Sequence, residues 1–315
     1  MRRLALGTAL LAAVISTPAS AQGCAAGPTA DACTKAVDLW AYMMPQIGTS
    51  LVGGSHTLCI GSTLGGLGHF AIAARVNAIQ GDLPDLSTVS VSALGAQSSS
   101  LTTKSQIIGL PGVDFAVGVF KGIPLGVTHV GGVDLIGSVT YVPTIEGDGV
   151  TLKPQDGSTK IGFGARIGLL EQSLVVPGVS FSYLQRDLPT MSLTASAANA
   201  DFAINDFSVK SKSWRLAAQK NLLLFQLGAG YGQDTYDASA AITGTVSPAA
   251  PFSAAPASDM KRTTMYGSLG FNLFIAKVVA EVGQVSGGDV TTFNTFDEAA
   301  DKSRLYGSVG IRISF

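Results

Sequence analysis

The chain has 315 residues, a formal net charge of −1 and only 13% charged residues, about half the share usual in a soluble globular protein. That balance excludes a bulk electrostatic attraction to nucleic acid. A mean hydropathy of +0.36, with no apolar run of roughly 18 residues after the N-terminal leader, excludes transmembrane helices. What remains is a heavily buried soluble β protein or a transmembrane β-barrel.

The chain opens with Arg2 and Arg3, an apolar stretch from Leu4 to Ile15, and the small-x-small site Ala19-Ser20-Ala21. This is the pattern of a secretory signal peptide covering residues 1–21 and cleaved before Gln22. The apolar stretch is too short to span a bilayer. "AQGC" around Cys24 has Ala21 where a lipoprotein box carries Leu, so ordinary cleavage is expected. Cys24, Cys33 and Cys59 allow one disulfide among three pairings, with one thiol left over. His56 and Cys59 have no second pair at ligand spacing, so neither a metal nor a cofactor is expected.

Residues 22–67 read as a separate segment, lying inside the barrel as a plug or at its periplasmic mouth. Cys33, Ala36, Val37, Trp40, Met43 and Met44 recur at helical spacing. Asp31 is the expected cap and Pro45 the expected stop. The remainder, "GTSLVGGSHTLCIGSTLGGLG", is rich in Gly and Ser and lacks a clear period.

From residue 68 to 315 the period becomes two. Phe70, Ile72, Ala74 and Val76 share one face of the first strand, and Ile161, Phe163, Ala165, Ile167 and Leu169 one face of another. The same alternation recurs through Val113–Val119, Val133–Tyr141, Val179–Tyr183, Trp214–Ala218, Leu223–Tyr231, Met265–Leu273, Val278–Val282 and Leu305–Phe315. Connections alternate in length. Gln219–Asn221, Phe274–Ala276 and Leu170–Val176 are short, whereas Gln80–Leu110, Thr144–Thr159, Leu188–Ala203, Tyr236–Met260 and Ser286–Lys302 are long and polar. This is the pattern of an antiparallel up-and-down transmembrane barrel of about ten strands with both ends on the short-turn side. Twelve or fourteen strands are admissible, because Ser87–Leu94 and Leu101–Leu110 read as a further hairpin and "YDASAAITGTV" as a strand extension.

With apolar positions facing lipid, the opposite face gathers Arg75, Arg166, Arg186, Arg215 and Arg312 with Asp114, Asp134, Glu281 and His69. Glu281 and Arg312 lie near the short-turn ends of neighbouring strands, so contact between them is expected. A basic constriction would favour anionic solutes. A narrow barrel more readily uses such charges as an ion-paired packing network. Tyr141, Tyr183, Trp214 and Tyr231 are candidate girdle aromatics. "GFGARIG" and "GAGYG" alternate glycine with lipid-type residues inside strands and open no helix, so they are not phosphate loops. His56, His69 and His129 are the three histidines, and no nucleophile motif accompanies them. The expectation is a protein that is not an enzyme.

The signal peptide and the closing strand resemble those of bacterial outer-membrane β-barrel proteins. In that class the alternating apolar terminus, here Ile311, Ile313 and Phe315, is the address read by the barrel-assembly machinery. The resemblance implies an outer-membrane location with lipid around the barrel. The pre-barrel segment is similar to that of the long-chain fatty-acid transporters, whose N-terminus plugs the lumen. Their Asn-Pro-Ala signature is absent, so no binding residues carry over. The implied function is a channel or transporter for small hydrophobic or anionic solutes. The alternative is a non-conducting structural or adhesion barrel acting through its long outer loops. Neither the solute nor the oligomeric state is written in the residues.

Overall fold

The computed structural model describes residues 23–58, 61–147, 150–197, 200–246 and 251–315. The expected signal peptide and Cys59 lie outside them. Ten strands of the described residues close a ring: β1 (Phe70–Pro84), β2 (Thr103–Phe120), β3 (Gly132–Tyr141), β4 (Thr159–Leu170), β5 (Gly178–Asp187), β6 (Ala200–Leu222), β7 (Phe225–Val246), β8 (Ala257–Leu273), β9 (Ala276–Ser286) and β10 (Arg304–Ser314). Each pairs antiparallel with its sequence neighbour. β10 pairs with β1 through Ala71↔Ser314 to Ile79↔Tyr306 and closes the sheet on itself, which leaves the spanning part no edge to expose to lipid. Phe70 and Phe315 exchange both backbone hydrogen bonds at the seam, and their rings stack at 4.9 Å.

Alternation sets which face meets what. On β1 the exposed and buried residues follow one another along Phe70–Ile79, and β10 does the same. Phe70, Ile72, Val76, Phe163, Leu227, Leu269, Val309 and Ile311 are among the exposed apolar residues. Together they form a belt about as tall as the roughly 9–11 residues a tilted strand needs to cross a bilayer. At its outer border Trp214 sits 6.1 Å from Phe181 and 5.8 Å from Tyr231, ring centre to ring centre, and Tyr183 is its ladder partner. These amphipathic rings suit a headgroup boundary.

The strands do not stop there. β6 has 23 residues and β7 has 22, about twice what a bilayer requires. Beyond the belt β6 turns exposed Lys210 and Lys212 outward while Val209 and Ser211 stay buried. The short strands Val150–Pro154, Met191–Ala197 and Pro251–Ala254 widen this outer sheet. Two stretches read as long connections, Leu188–Ala203 and Tyr236–Met260, are therefore largely strand, and the strand extension expected of "YDASAAITGTV" forms within β7. Their outer face meets water, so the apolar alternation that marks a lipid-facing strand is missing. The Ser87–Leu94 hairpin strand does not form; Leu86–Thr88 is a 3-10 turn, and Thr103–Leu110 belongs to β2. β3 pairs with β2 only from Gly112 onward, and Pro111, which cannot donate to a ladder, marks where that pairing ends.

The helix α1 (Ala30–Val52) fills the ring, with 20 of its 23 residues buried. It packs on β1, β2, β6 and β7. Its apolar residues Ala36, Val37, Trp40 and Met44 join Val209, Tyr236, Ile242 and Met260 in one core. Two expectations about this helix fail. The N-cap is Thr29, not Asp31, and Asp31 instead accepts from the backbone of Ser92 and Gln97 and pairs with Lys35 at 2.6 Å. Pro45 does not end the helix. Proline interrupts a helix by removing a donor, yet here close packing on every side continues the coil for seven more residues, to Val52. Packing is close enough that a Cβ on Gly48 would come within 2.8 Å of the Tyr236 ring. The disulfide is Cys24–Cys33, with Cα atoms 5.7 Å apart, and it ties the first described residues to the first turns of α1.

Candidate functional site: the plugged lumen

Inner-face alternation puts Arg75, Arg166, Arg215, Arg262 and Arg312 inside the ring at five different ladder positions. Arg166, Arg215 and Arg262 are at most 1% exposed. A guanidinium offers five donors and stays charged, so burial demands acceptors. Carboxylates supply some. Asp114 pairs with Arg75 at 3.0 Å and Arg186 at 3.2 Å, Asp134 with Arg166 at 3.1 Å, and Asp234 with Arg215 at 2.7 Å.

The backbone of the plug supplies the rest. Arg215 donates to the carbonyls of Val52 at 3.3 Å and Gly54 at 3.1 Å, and Arg75 to Gly53 at 3.2 Å. These are carbonyls left without intrahelical partners where α1 ends, at the end of the dipole that favours cations. Arg166 donates to His56 O at 3.2 Å and Ser62 O at 3.4 Å, and also holds Thr57 Oγ1. Arg312 donates to Leu58 O at 3.1 Å, and Arg262 to Pro45 O at 3.3 Å. Five barrel arginines thus hold the plug by its main chain.

Other wall groups hold the same segment. Ser55 N donates to Glu281 Oε1 at 2.8 Å, and Leu64 N to Asp134 at 3.1 Å. The His56 ring is bridged between Ser182 at 2.8 Å and Ser213 at 2.9 Å. Serine hydroxyls can donate or accept, so a neutral imidazole is satisfied at both nitrogens. Near the short-turn mouth Thr63 donates from its backbone to Glu171 Oε1 at 2.8 Å. Gly54 has φ +92°, and a Cβ there would collide with the Glu281 carboxylate, so only glycine fits.

At the outer end burial holds the Asp38 carboxyl above its ordinary value, an effect that hydrogen bonds from Asn294 and Phe293 only reduce. On the rim Lys104, 2.9 Å from Asp85, holds that carboxyl below its ordinary value, helped by Ser87.

The residues singled out from sequence fall as follows. Arg75, Arg166, Arg215, Arg312 and Glu281 all face inward and are at most 9% exposed. His69, one residue before β1 begins, is exposed at the short-turn rim, where its Nδ1 lies 3.3 Å from Gly66 O of the plug segment. Glu281 and Arg312 are not brought together. Across the ladder Arg312 faces Lys277 while Glu281 faces Ser308, four positions further along, and each finds its partner in the plug instead. His129 is in the short connection, paired with Pro124. Sequence reading missed Arg262, Arg304, Asp82 and Asp234. Arg304 pairs with Asp82 at 2.7 Å; it stands just before the alternating run Leu305–Phe315 and in the inward phase of Tyr306, Ser308 and Arg312, a signal that could have found it. Asp234 continues the inward phase of Gln226, Gly228 and Gly230, a signal that could have found it. Among the described residues no group of three His, Cys, Asp or Glu side chains is placed to hold a metal ion.

A closed ring and an apolar belt with an aromatic border, along which the charged side chains point inward, fit lipid outside. The chain is an outer-membrane β-barrel. No family model matches it, and no curated protein matches it. Among solved structures it is similar to the translocator domain of the autotransporter NalP from Neisseria meningitidis, at 12% identity and TM-score 0.41, covering 90% of this chain and 97% of that one. It is also similar to a deletion mutant of the monoaromatic hydrocarbon channel TodX, at 12% identity and TM-score 0.36, covering 85% and 74%. The toluene transporter TbuX of Ralstonia pickettii is similar at 10% identity and TM-score 0.32, covering 85% and 96%. The long-chain fatty-acid transporter type is not singled out among them.

Proposed function

We propose that this barrel is a channel for small solutes, anions ahead of cations, held shut by its own N-terminal segment. The observation that carries the reading is the state of the strap below α1. Thr57 and Leu58 both have left-handed backbone, φ 64° and 46°, a conformation that costs a non-glycine residue on the order of 1–3 kcal/mol. They are held there by Arg166 on Thr57 Oγ1 and by Arg312 on Leu58 O. A strained strap held by a few charged hydrogen bonds is suited to being released. Its displacement would leave a wall on which Arg75, Arg166, Arg186, Arg215, Arg262 and Arg312 outnumber Asp114, Asp134, Asp234 and Glu281, an excess that favours anions.

A second reading, a non-conducting barrel acting through its outer part, draws support from the core that α1 shares with the strands above the belt. The test is solute flux into liposomes. Arg166→Ala with Arg312→Ala should raise the flux of small solutes about tenfold over the full chain, and preference for anions over cations should appear in the chain lacking residues 22–64, which keeps both arginines. Flux that stays at background in this variant, and also after deletion of residues 22–64, favours the second reading.

A further inference from the structure

We propose that the barrel carries its own N-terminal segment to the cell surface, so that polypeptide joined ahead of Gly23 emerges on the outer face. The order of contacts down the lumen carries this. Strands β1 and β10 place Phe70 and Phe315 together at the short-turn rim, which in an outer-membrane barrel is the periplasmic side. The strap ascends from there. Thr63 meets Glu171 at that mouth, Leu58 meets Arg312, and Gly54 meets Arg215 deeper in.

Helix α1 continues upward, about 35 Å for its 23 residues. Gln46 exchanges hydrogen bonds with Asp82, near the outer end of β1. Asp38 accepts from Phe293 and Asn294, Lys35 donates to Ser90 O, and Asp31 accepts from Ser92 and Gln97. Every one of these loop partners belongs to a long connection. The first described residue, Gly23, lies beside Ala254 and Ala255 in the outer sheet, and Gly23, Ala25, Ala26 and Pro28 are exposed.

The backbone therefore leaves the lumen outward. Cys24 is closed to lipid attachment because its sulfur is bonded to Cys33, and that bond secures the exit. Nothing in this inference depends on whether the lumen conducts.

The test uses the full chain in cells, with a short epitope inserted between Ala21 and Gln22. Antibody should label intact cells as strongly as permeabilised ones, and external protease should remove the epitope while leaving a heat-modifiable barrel. Labelling only after permeabilisation, with the barrel assembled, overturns the proposal. Should the insertion block assembly, Ala26→Cys in a Cys59→Ser background replaces it, probed with a membrane-impermeant maleimide. Labelling of intact cells supports outward exit, and labelling only after the outer membrane is disrupted overturns it.

Discussion

Arg215 stands 2.7 Å from Asp234 on the inner wall, and the same guanidinium donates to the carbonyls of Val52 and Gly54 where α1 ends. One side chain thereby ties adjacent strands to each other and to the plug. Removing one partner of such a buried pair strands the other charge, at about 3–5 kcal/mol. Arg215→Ala should therefore lower the temperature at which the barrel loses its folded migration on a gel. Asp234→Asn should do the same, and a paired apolar replacement, Arg215→Met with Asp234→Leu, should recover part of the loss.

Glu281 and Arg312 should behave as independent residues. Glu281 serves Ser55 N and Arg312 serves Leu58 O, and distant sites usually add within about 0.5 kcal/mol. Melting of Glu281→Gln, Arg312→Gln and the double variant should be additive. A coupling above about 1 kcal/mol would show that the two anchors act together, through the strap they share or by direct contact.

Phe315 occupies the closing seam, stacked on Phe70. Phe315→Ser should lower the fraction of chain assembled in the outer membrane, with export to the periplasm unchanged. Unchanged assembly would remove the terminal aromatic from its role as an assembly address.

The Cys24–Cys33 bond closes a loop of sequence separation nine, so its loss should cost about 2–3 kcal/mol on the chain-entropy account. The effect should be local. Cys24→Ser with Cys33→Ser should speed amide exchange over Ala30–Lys35 and leave heat-modifiable migration of the barrel unchanged. Loss of the folded band would mean that the bond supports the whole wall.

The sequence announced the barrel wherever lipid touches it. Ile161, Phe163, Ile167 and Leu169 alternate with small or charged residues because one face must be apolar and the other must leave room. Above the belt that constraint lapses. The outer half of β7, "TYDASAAITGTV", turns Ala238, Ala240 and Ile242 inward against α1, and its other face needs only to be soluble. The stretch therefore reads either as a long connection or as a strand extension, and Arg262, just beyond Tyr236–Met260 on β8, carries no apolar alternation to set its phase. Arg75, Arg166, Arg215 and Arg312 could be placed on the inner face by phase alone. Their acceptors could not, since a backbone carbonyl of the plug leaves no mark in the residue code. Pro45 misled for a related reason: a stop signal in water is overridden when the helix is enclosed on every side.

Closure of the lumen by the N-terminal segment is tested most directly by single-channel recording across a planar bilayer. The full chain should be electrically silent. The chain lacking residues 22–64, folded to the same heat-modifiable band, should give discrete, anion-selective steps. Steps of equal size and selectivity from both, or silence from both, would contradict it.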